Sequence, residues 1–378
     1  MSSLTTVDLG SVVIKEAVTR SGVPAVQIDH VYMGCVIQAG LGQNVARQAA
    51  IKAGLPNSTT AQTTNVVCGS GLDSVNAGAR MIACGDAEAV VAGGMESMTN
   101  APFAIMKGRY GYKMGSPMTN TPLVDTMVND ALWDAMNNYH MGLTAENVAA
   151  KYGLTRADLD EFAANSQNKA SMAIAAGSFM DEIVPVVIEG RRGETVVGAD
   201  EGPRPGTTVE TLSKLKPVFK DGGMVTAGNS SGINDGAAAV VLVSEDKVRE
   251  LDLHPQAVWL GGALGGVDPA LMGVGPVVST KKLLNKLSMT IDDFDIIEGN
   301  EAFAAQSLAV KRDLCISDEK LNVNGGAIAL GHPVGASGCR ILVTLIYALK
   351  QRNLKRGLAM LCIGGGMGCS AAVERVGI

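Results

Sequence analysis

Cys68 stands where an extended, β-branched approach (Thr64, Val66, Val67) gives way to the turn Gly69-Ser70-Gly71. Apolar residues then recur at Leu72, Val75, Ala79 and Ile82, a helical spacing. The cysteine is therefore expected at a strand-to-helix junction, where unpaired N–H groups favour the nucleophilic thiolate. His332 sits among glycines in the run 322–338, NVNGGAIALGHPVGASG, and can take or return a proton. Cys362 opens CIGGGMG at a strand end, and Asn300 follows a strand-like run in EGNEAF. Each alone also fits a structural role: the cysteines as small buried hydrophobes, His332 as a histidine bonded to backbone, Asn300 as a turn residue. Together they describe acyl transfer through a thioester. One thiol takes the acyl group, a histidine moves its proton, the second thiol acts as acid or base, and glycine-rich turns offer N–H groups to an oxyanion.

The elements that must position these groups read as an α/β pattern. A helix is expected over 8–17, a strand over 29–37, and an Ala-rich helix stopped by Gly54 and Pro56. The short apolar run 87–92 fits a buried parallel strand. From 99 to about 229 the texture changes, with helical stretches expected around 125–137 and 156–176 and a charged, turn-rich run over 190–220. A strand at 237–244 resumes the pattern. The last third repeats it, with helices near 280–287 and 303–310 and strands at 257–263, 294–298 and 358–363. Two halves with the same grammar predict a duplicated α/β fold with one large insertion.

At 378 residues, 47% apolar and 18% charged, the chain can bury two or three ordinary domains. A net charge of −6 without a Lys/Arg block argues against nucleic acid as a partner. The start lacks a secretory pattern, and residues 357–373 are too short and glycine-broken to span a membrane, so a soluble, cytoplasmic protein is expected. The seven cysteines form no C-x-x-C pair and no zinc-like spacing, which points to free thiols and no metal.

Seven segments in order resemble the thiolase family, biosynthetic type: VCGSG around Cys68, VAGGMESM at 91–98, YHMG with TAEN at 139–147, VTAGNSSG with NDGAAA at 225–239, NEAFAAQ at 300–306, GHPVGASG at 331–338 and CIGGGMG at 362–368. The resemblance covers the chain from Leu9 onward. It implies a five-layer α-β-α-β-α fold of two five-stranded halves: 1–98 with 229–248, and 249–378, around a coenzyme A-binding loop domain at 99–228. It implies interconversion of two acetyl-CoA with acetoacetyl-CoA and CoA, with CoA thioesters as substrates and no permanently bound cofactor. Cys68 is then the nucleophile, His332 its base and Cys362 the group that moves the α-proton. His332 and a water on Asn300 serve the enolate oxygen, and the N–H groups of Cys68 and Gly364 the acyl carbonyl. By the same resemblance His140, Met141, Ser231 and Arg204 contact CoA, while Leu132, Phe219, Met272, Ala302 and Phe303 line the acyl and pantetheine tunnel. Arg191, Arg192, Arg204, Lys214 and Lys216 can supply positive charge for the phosphates, or form a solvated loop. A homotetramer built as a dimer of dimers is implied, with 104–122 as a tetramer contact or a lid.

The family pattern places a strand ahead of the first helix that has no match here. Taken as central, its loss would leave two neighbours without ladder partners and open a slot in the core. Two alternatives stand beside the acetyl-transfer reading: a degradative 3-ketoacyl-CoA thiolase of broader chain length, and a catalytically silent truncated relative.

Overall fold

The computed structural model describes residues 1–111, 122–190 and 193–377. The first half contains α1 (Thr6–Ser21), β1 (His30–Gly34), α2 (Val45–Lys52), β2 (Thr60–Thr64), α3 (Ser70–Ala83) and β3 (Ala89–Ser97). α1 begins where Thr5 and Asp8 exchange capping hydrogen bonds, and it buries Leu9, Ile14 and Val18. After an excursion that includes α4 (Met141–Lys151) and α5 (Arg156–Ala175), β4 (Asp235–Val243) closes this half. The second half contains β5 (Ala257–Gly266), α6 (Gly275–Leu287), β6 (Ile296–Gly299), α7 (Ala304–Asp313), α8 (Ser337–Arg352), β7 (Arg356–Ile363) and β8 (Met367–Arg375).

Two four-stranded sheets result, ordered β4-β3-β1-β2 and β5-β8-β7-β6. In the first, β1, β2 and β3 are parallel and β4 runs antiparallel to β3. In the second, β6 and β7 are parallel, and β8 is antiparallel to both β7 and β5. α3 and α8 fill the layer between the sheets, packing Leu72, Val75, Ile341 and Leu345 against Ala92 on one side and Leu361 and Ala371 on the other. α1 and α2 cover the outer face of the first sheet, and α6 and α7 that of the second. The layers are thus α-β-α-β-α.

Three expectations are corrected. Each sheet has four strands rather than five; in the second half only an isolated bridge, Ile297 to Leu321, extends the edge beyond β6. No gap separates two central strands, because β1 and β3 pair directly from His30–Val90 to Gly34–Gly94. The stretch 125–137 is not one helix: the short strand Leu123–Asp125 leads to a π-type turn over Val128–Leu132 and the two-residue strand Trp133–Asp134. Its Asp and Asn side chains compete with a helical ladder; Asp134 accepts from the N–H groups of Met136 and Asn137. Much of 104–122, and Arg191 and Arg192, lie outside the described residues. Among the described residues no helix is long and apolar enough to cross a membrane.

Candidate active site

Cys68 lies between β2 and α3, as its neighbours' spacing predicts, but the approach is not extended to the end. Val67 has φ of +49°, a left-handed conformation that a β-branched residue adopts only under constraint. The constraint is local. Val66 N–H donates to Ser70 Oγ at 3.0 Å, Ser70 O–H donates to the Val67 carbonyl at 2.6 Å, and Val67 N–H donates to Asn65 Oδ1 at 3.0 Å. Cys68 is thereby held at the start of α3, 9% exposed. The backbone N–H groups of Gly364 and of Cys68 itself lie close enough to the sulfur to favour its thiolate. These are the two donors named above for an acyl carbonyl.

The expected low thiol pKa is not found in the free protein. Burial pushes the Cys68 thiol up to about 11, and the two N–H groups offset only part of that. Cys362, near the end of β7, is also raised by burial and then by Cys68, so the two thiols lie in one electrostatic neighbourhood. All seven cysteines are free. Gly364 reaches Cys68 because β7 turns into β8 through Gly365 and Gly366, both at positive φ (85° and 86°). A side chain at Gly364 itself would approach Met141 Cε at 3.0 Å.

His332 precedes α8 as Cys68 precedes α3, and these two helices abut. A Cβ on Gly71 would come 2.8 Å from Cys339 N, and one on Gly338 would come 2.4 Å from Leu72 N. Glycine at both crossing points lets the helix starts meet. His332 N–H donates to Asn234 Oδ1 at 2.9 Å. Ser337 O–H donates to the Pro333 carbonyl at 2.9 Å, so at the 2.5 Å contact between Ser337 Oγ and His332 Nδ1 the histidine is the donor. Nε2 is left with its lone pair, the form a general base requires. Asn300 Nδ2 lies 3.4 Å from Nε2, and Asn300 Oδ1 is buried without a hydrogen bond from the protein.

Met141, Met272, Ala302, Phe303 and Cys362 share one buried apolar cluster, against which Phe219 packs. His140 caps α4, accepting Gly142 N–H at 3.0 Å, and stacks on Phe219 with centroids 4.7 Å apart. Burial lowers its pKa. Leu132 packs instead against the cluster that contains Cys68. Ser231 pairs its N–H with the Ala302 carbonyl at 3.0 Å. Arg204, Lys214 and Lys216 are exposed and outside the buried cluster.

Sequence reasoning missed the buried carboxylates that pin these loops. Glu96, inside the apolar run of β3, accepts N–H groups from Val36 (2.9 Å), Ile37 (3.1 Å) and Gly335 (2.9 Å), tying the His332 loop to the end of β1. Glu301 does the same for Ile328 N–H while accepting Ser166 and Asn322. Burial holds Glu96 up at about 7 despite its three N–H donors. A lone acid in an otherwise apolar strand is the signal that could have found it. Among the described residues no group of three His, Cys, Asp or Glu side chains is disposed to hold a metal.

The model of the thiolase N-terminal domain matches residues 1–246, and that of the thiolase C-terminal domain matches 253–375. The chain belongs to the thiolase family. It is 55% identical over 368 residues to an acetyl-CoA acetyltransferase of Syntrophomonas wolfei, covering 97% of this chain and 92% of the relative. It is 53% identical over 377 residues to one of Allochromatium vinosum, covering 100% and 95%. One of Cupriavidus necator is 56% identical over 369 residues, covering 97% and 93%. The crystal structure of the Bacillus anthracis acetyl-CoA acetyltransferase superposes with a TM-score of 0.96 at 43% identity, covering 99% of this chain and 94% of that one.

In this thiolase, burial and then Arg340 depress the pKa of His332 to about 3. The unfolded chain therefore binds more protons than the folded one between pH 3 and 6.5, and stability falls as pH drops through that window. His332 alone is expected to cost about 2 kcal/mol of stability between pH 7 and pH 5. Chemical denaturation of the parent and of His332→Gln at both pH values checks this. Their stability difference should shift by that amount, and a constant difference would refute it.

Proposed function

We propose that this chain is an acyltransferase that interconverts two acetyl-CoA with acetoacetyl-CoA plus CoA through an acetyl-cysteine on Cys68. One arrangement carries the reading: the Cys68 thiol, at the start of α3, is acted on by the N–H groups of Gly364 and of Cys68 itself and lies in electrostatic range of Cys362. Full-length relatives named acetyl-CoA acetyltransferase at more than half identity support the substrates.

In thiolysis, His332 Nε2 takes the Cys68 thiol proton and the thiolate attacks the 3-keto carbonyl of acetoacetyl-CoA. The carbon–carbon bond breaks, and Cys362 S–H protonates the departing acetyl-CoA enolate at carbon. The enolate oxygen is met by the His332 N–H just formed and by a water on Asn300 Oδ1. CoA then gives its thiol proton to the Cys362 thiolate and attacks the acetyl group. The acyl carbonyl oxygen rests on the N–H groups of Cys68 and Gly364, and Cys68 leaves to be reprotonated by His332.

The CoA thioesters are substrates, with no cofactor held permanently. His140, Met141 and Ser231 contact the pantetheine end and Arg204 the nucleotide, while Leu132, Phe219, Met272, Ala302 and Phe303 shape the tunnel. In this reading residues 99–228 form the CoA-binding loop domain between an N-terminal half (1–98 with 229–248) and a C-terminal half (249–378). The working state is a cytoplasmic homotetramer, a dimer of dimers.

The stacked His140 and Phe219, with Phe303 edge-on at 6.3 Å, narrow the acyl end and favour short chains. Thiolysis of acetoacetyl-CoA is expected to exceed that of a C8 ketoacyl-CoA by at least about tenfold in kcat/KM. Equal or reversed rates would favour the degradative alternative, and inactivity of a folded, monodisperse protein the silent one.

A further inference from the structure

Asn300 directly follows β6, whereas His332 stands 32 residues later, ahead of α8, yet Asn300 Nδ2 lies 3.4 Å from His332 Nε2. Two separate loops must therefore be held in register for both groups to face one oxygen.

Asn300 is fixed through its backbone. Its N–H donates to the Met360 carbonyl of β7 at 3.0 Å, and its carbonyl accepts Gln306 Nε2 at 3.1 Å. The preceding residue, Gly299, is gripped on both its polar groups by one side chain. Its N–H donates to Asn322 Oδ1 and its carbonyl accepts Asn322 Nδ2, each at 2.8 Å. Asn322 does this from a left-handed backbone, φ of +46°, which asparagine tolerates better than most side chains.

Asn322 Nδ2 has a second hydrogen, and it goes to Glu301 Oε1 at 2.8 Å. The other oxygen of that carboxylate, Oε2, accepts Ser166 O–H at 2.6 Å and Ile328 N–H at 3.2 Å. Ile328 belongs to the helical turn Ala327–Leu330, which runs through Gly331 into His332. Ser166 Oγ also accepts the N–H of Gly326 at 3.1 Å, and a Cβ on Gly326 would collide with the Glu301 carboxyl, so the loop rests directly on this acid. Glu301 is 1% exposed. One of its oxygens thus faces the Asn300 side and the other the His332 side. Glu298, the buried acid on the other side of Asn300, has no hydrogen-bond partner in the protein and bridges nothing.

We infer that Glu301 is a positioning residue for enolate formation: through Asn322 it sets Asn300 against His332, an alignment that acetylation of Cys68 does not use. The inference rests on the acyl-transfer reading proposed above.

Glu301→Gln separates the two sides. With its oxygen toward Ser166 and Ile328, glutamine keeps both of those bonds and sets its amide nitrogen against Asn322 Nδ2, donor against donor. The reverse orientation loses the Ile328 bond and leaves the Ser166 O–H without its acceptor, so the first is favoured. The Asn300 side is released while the His332 side stays in place.

Two rates are to be measured on the full 378-residue chain: transfer of labelled acetyl from acetyl-CoA to Cys68, and deuterium uptake into the methyl group of acetyl-CoA in D2O. In Glu301→Gln deuterium uptake should fall by about tenfold to a hundredfold, in kcat rather than KM, while acetyl transfer stays within about threefold of the parent. Asn322→Gly keeps the left-handed backbone without strain but removes the grip on Gly299, and it should give the same split. A thermal scan of each variant beside the parent selects those that fold. Unchanged deuterium uptake in a folded variant, or a parallel fall of both rates, would overturn the inference alone, since the parent would still perform both half-reactions. A parent that neither takes up acetyl nor exchanges deuterium would overturn the acyl-transfer reading and the inference with it.

Discussion

Cys68→Ala is expected to lower thiolysis of acetoacetyl-CoA by at least about a thousandfold while leaving the fold intact. The size of the effect follows from the lack of a substitute. Cys362 is the neighbouring thiol, but it is fully buried among Met141, Met272 and Phe303. The N–H pair that would hold the acyl oxygen converges on Cys68. Moving the acyl group to Cys362 would therefore forfeit both donors, each of which is worth on the order of a hundredfold in rate. The substitution removes one sulfur from a 9%-exposed site, so the folded state should survive, as a thermal scan beside the parent would show. Loss of the enolate absorbance of acetoacetyl-CoA on adding CoA reads the rate. Residual activity within tenfold of the parent would exclude Cys68 as the nucleophile. Cys68→Ser should recover little, because a hydroxyl is far less acidic than a thiol and His332 is a weak base here.

The Cys68 environment shows which parts of the site were legible in the sequence. Its place at a strand-to-helix junction followed from the periodicity of Leu72, Val75 and Ala79. The same spacing logic located α5, α6, α7 and the strand that carries Cys362 next to its last residue. The left-handed Val67 was not legible, since a β-branched residue argues for extended backbone and only the Ser70 and Asn65 hydrogen bonds override it. The thiol pKa was misjudged for a related reason. The helix N-terminus was visible, but the depth of burial depends on α8 and β7, some 270 residues further along, and burial dominates.

Strand order failed for a different cause. The central place of the unmatched first strand came from the family resemblance alone, and periodicity, which marks a segment as a strand but says nothing about its neighbour, could not test it. In the structure β1 pairs directly with β3, and β4 is the edge strand beyond β3. A core sheet without an internal gap keeps β1 and β3 in register, and it is their C-terminal ends that hold Val36, Ile37 and Glu96 against Gly335. β4, on the other side of β3, reaches the His332 loop at its start, where Asn234 accepts the His332 N–H at 2.9 Å.

Cys362→Ala should separate the two half-reactions that Cys68→Ala abolishes together. Acetylation of Cys68 by acetyl-CoA, and its reversal by CoA, need the nucleophile, His332 and the two N–H donors; carbon–carbon bond formation also needs a base at the α-carbon. On the proposed reading Cys362 is that base; it shares an apolar cluster with Phe303 and Ala302 and feels the charge of Cys68. Burial raises its pKa, which makes its thiolate a stronger base toward a weakly acidic carbon and its thiol the resting form that can protonate an enolate in thiolysis. Removing it should lower acetoacetyl-CoA formation and thiolysis by about a hundredfold to ten-thousandfold. Transfer of labelled acetyl from acetyl-CoA to the enzyme should stay within about tenfold of the parent, since only one methylene-scale void is added beside the site. Deuterium uptake into the methyl group of acetyl-CoA in D2O, followed by NMR, provides the direct readout and should vanish in Cys362→Ala but persist in His140→Asn. If enzyme acetylation and condensation fall in parallel, Cys362 supports the shape of the site rather than moving the α-proton, and the base must be sought at His332 itself.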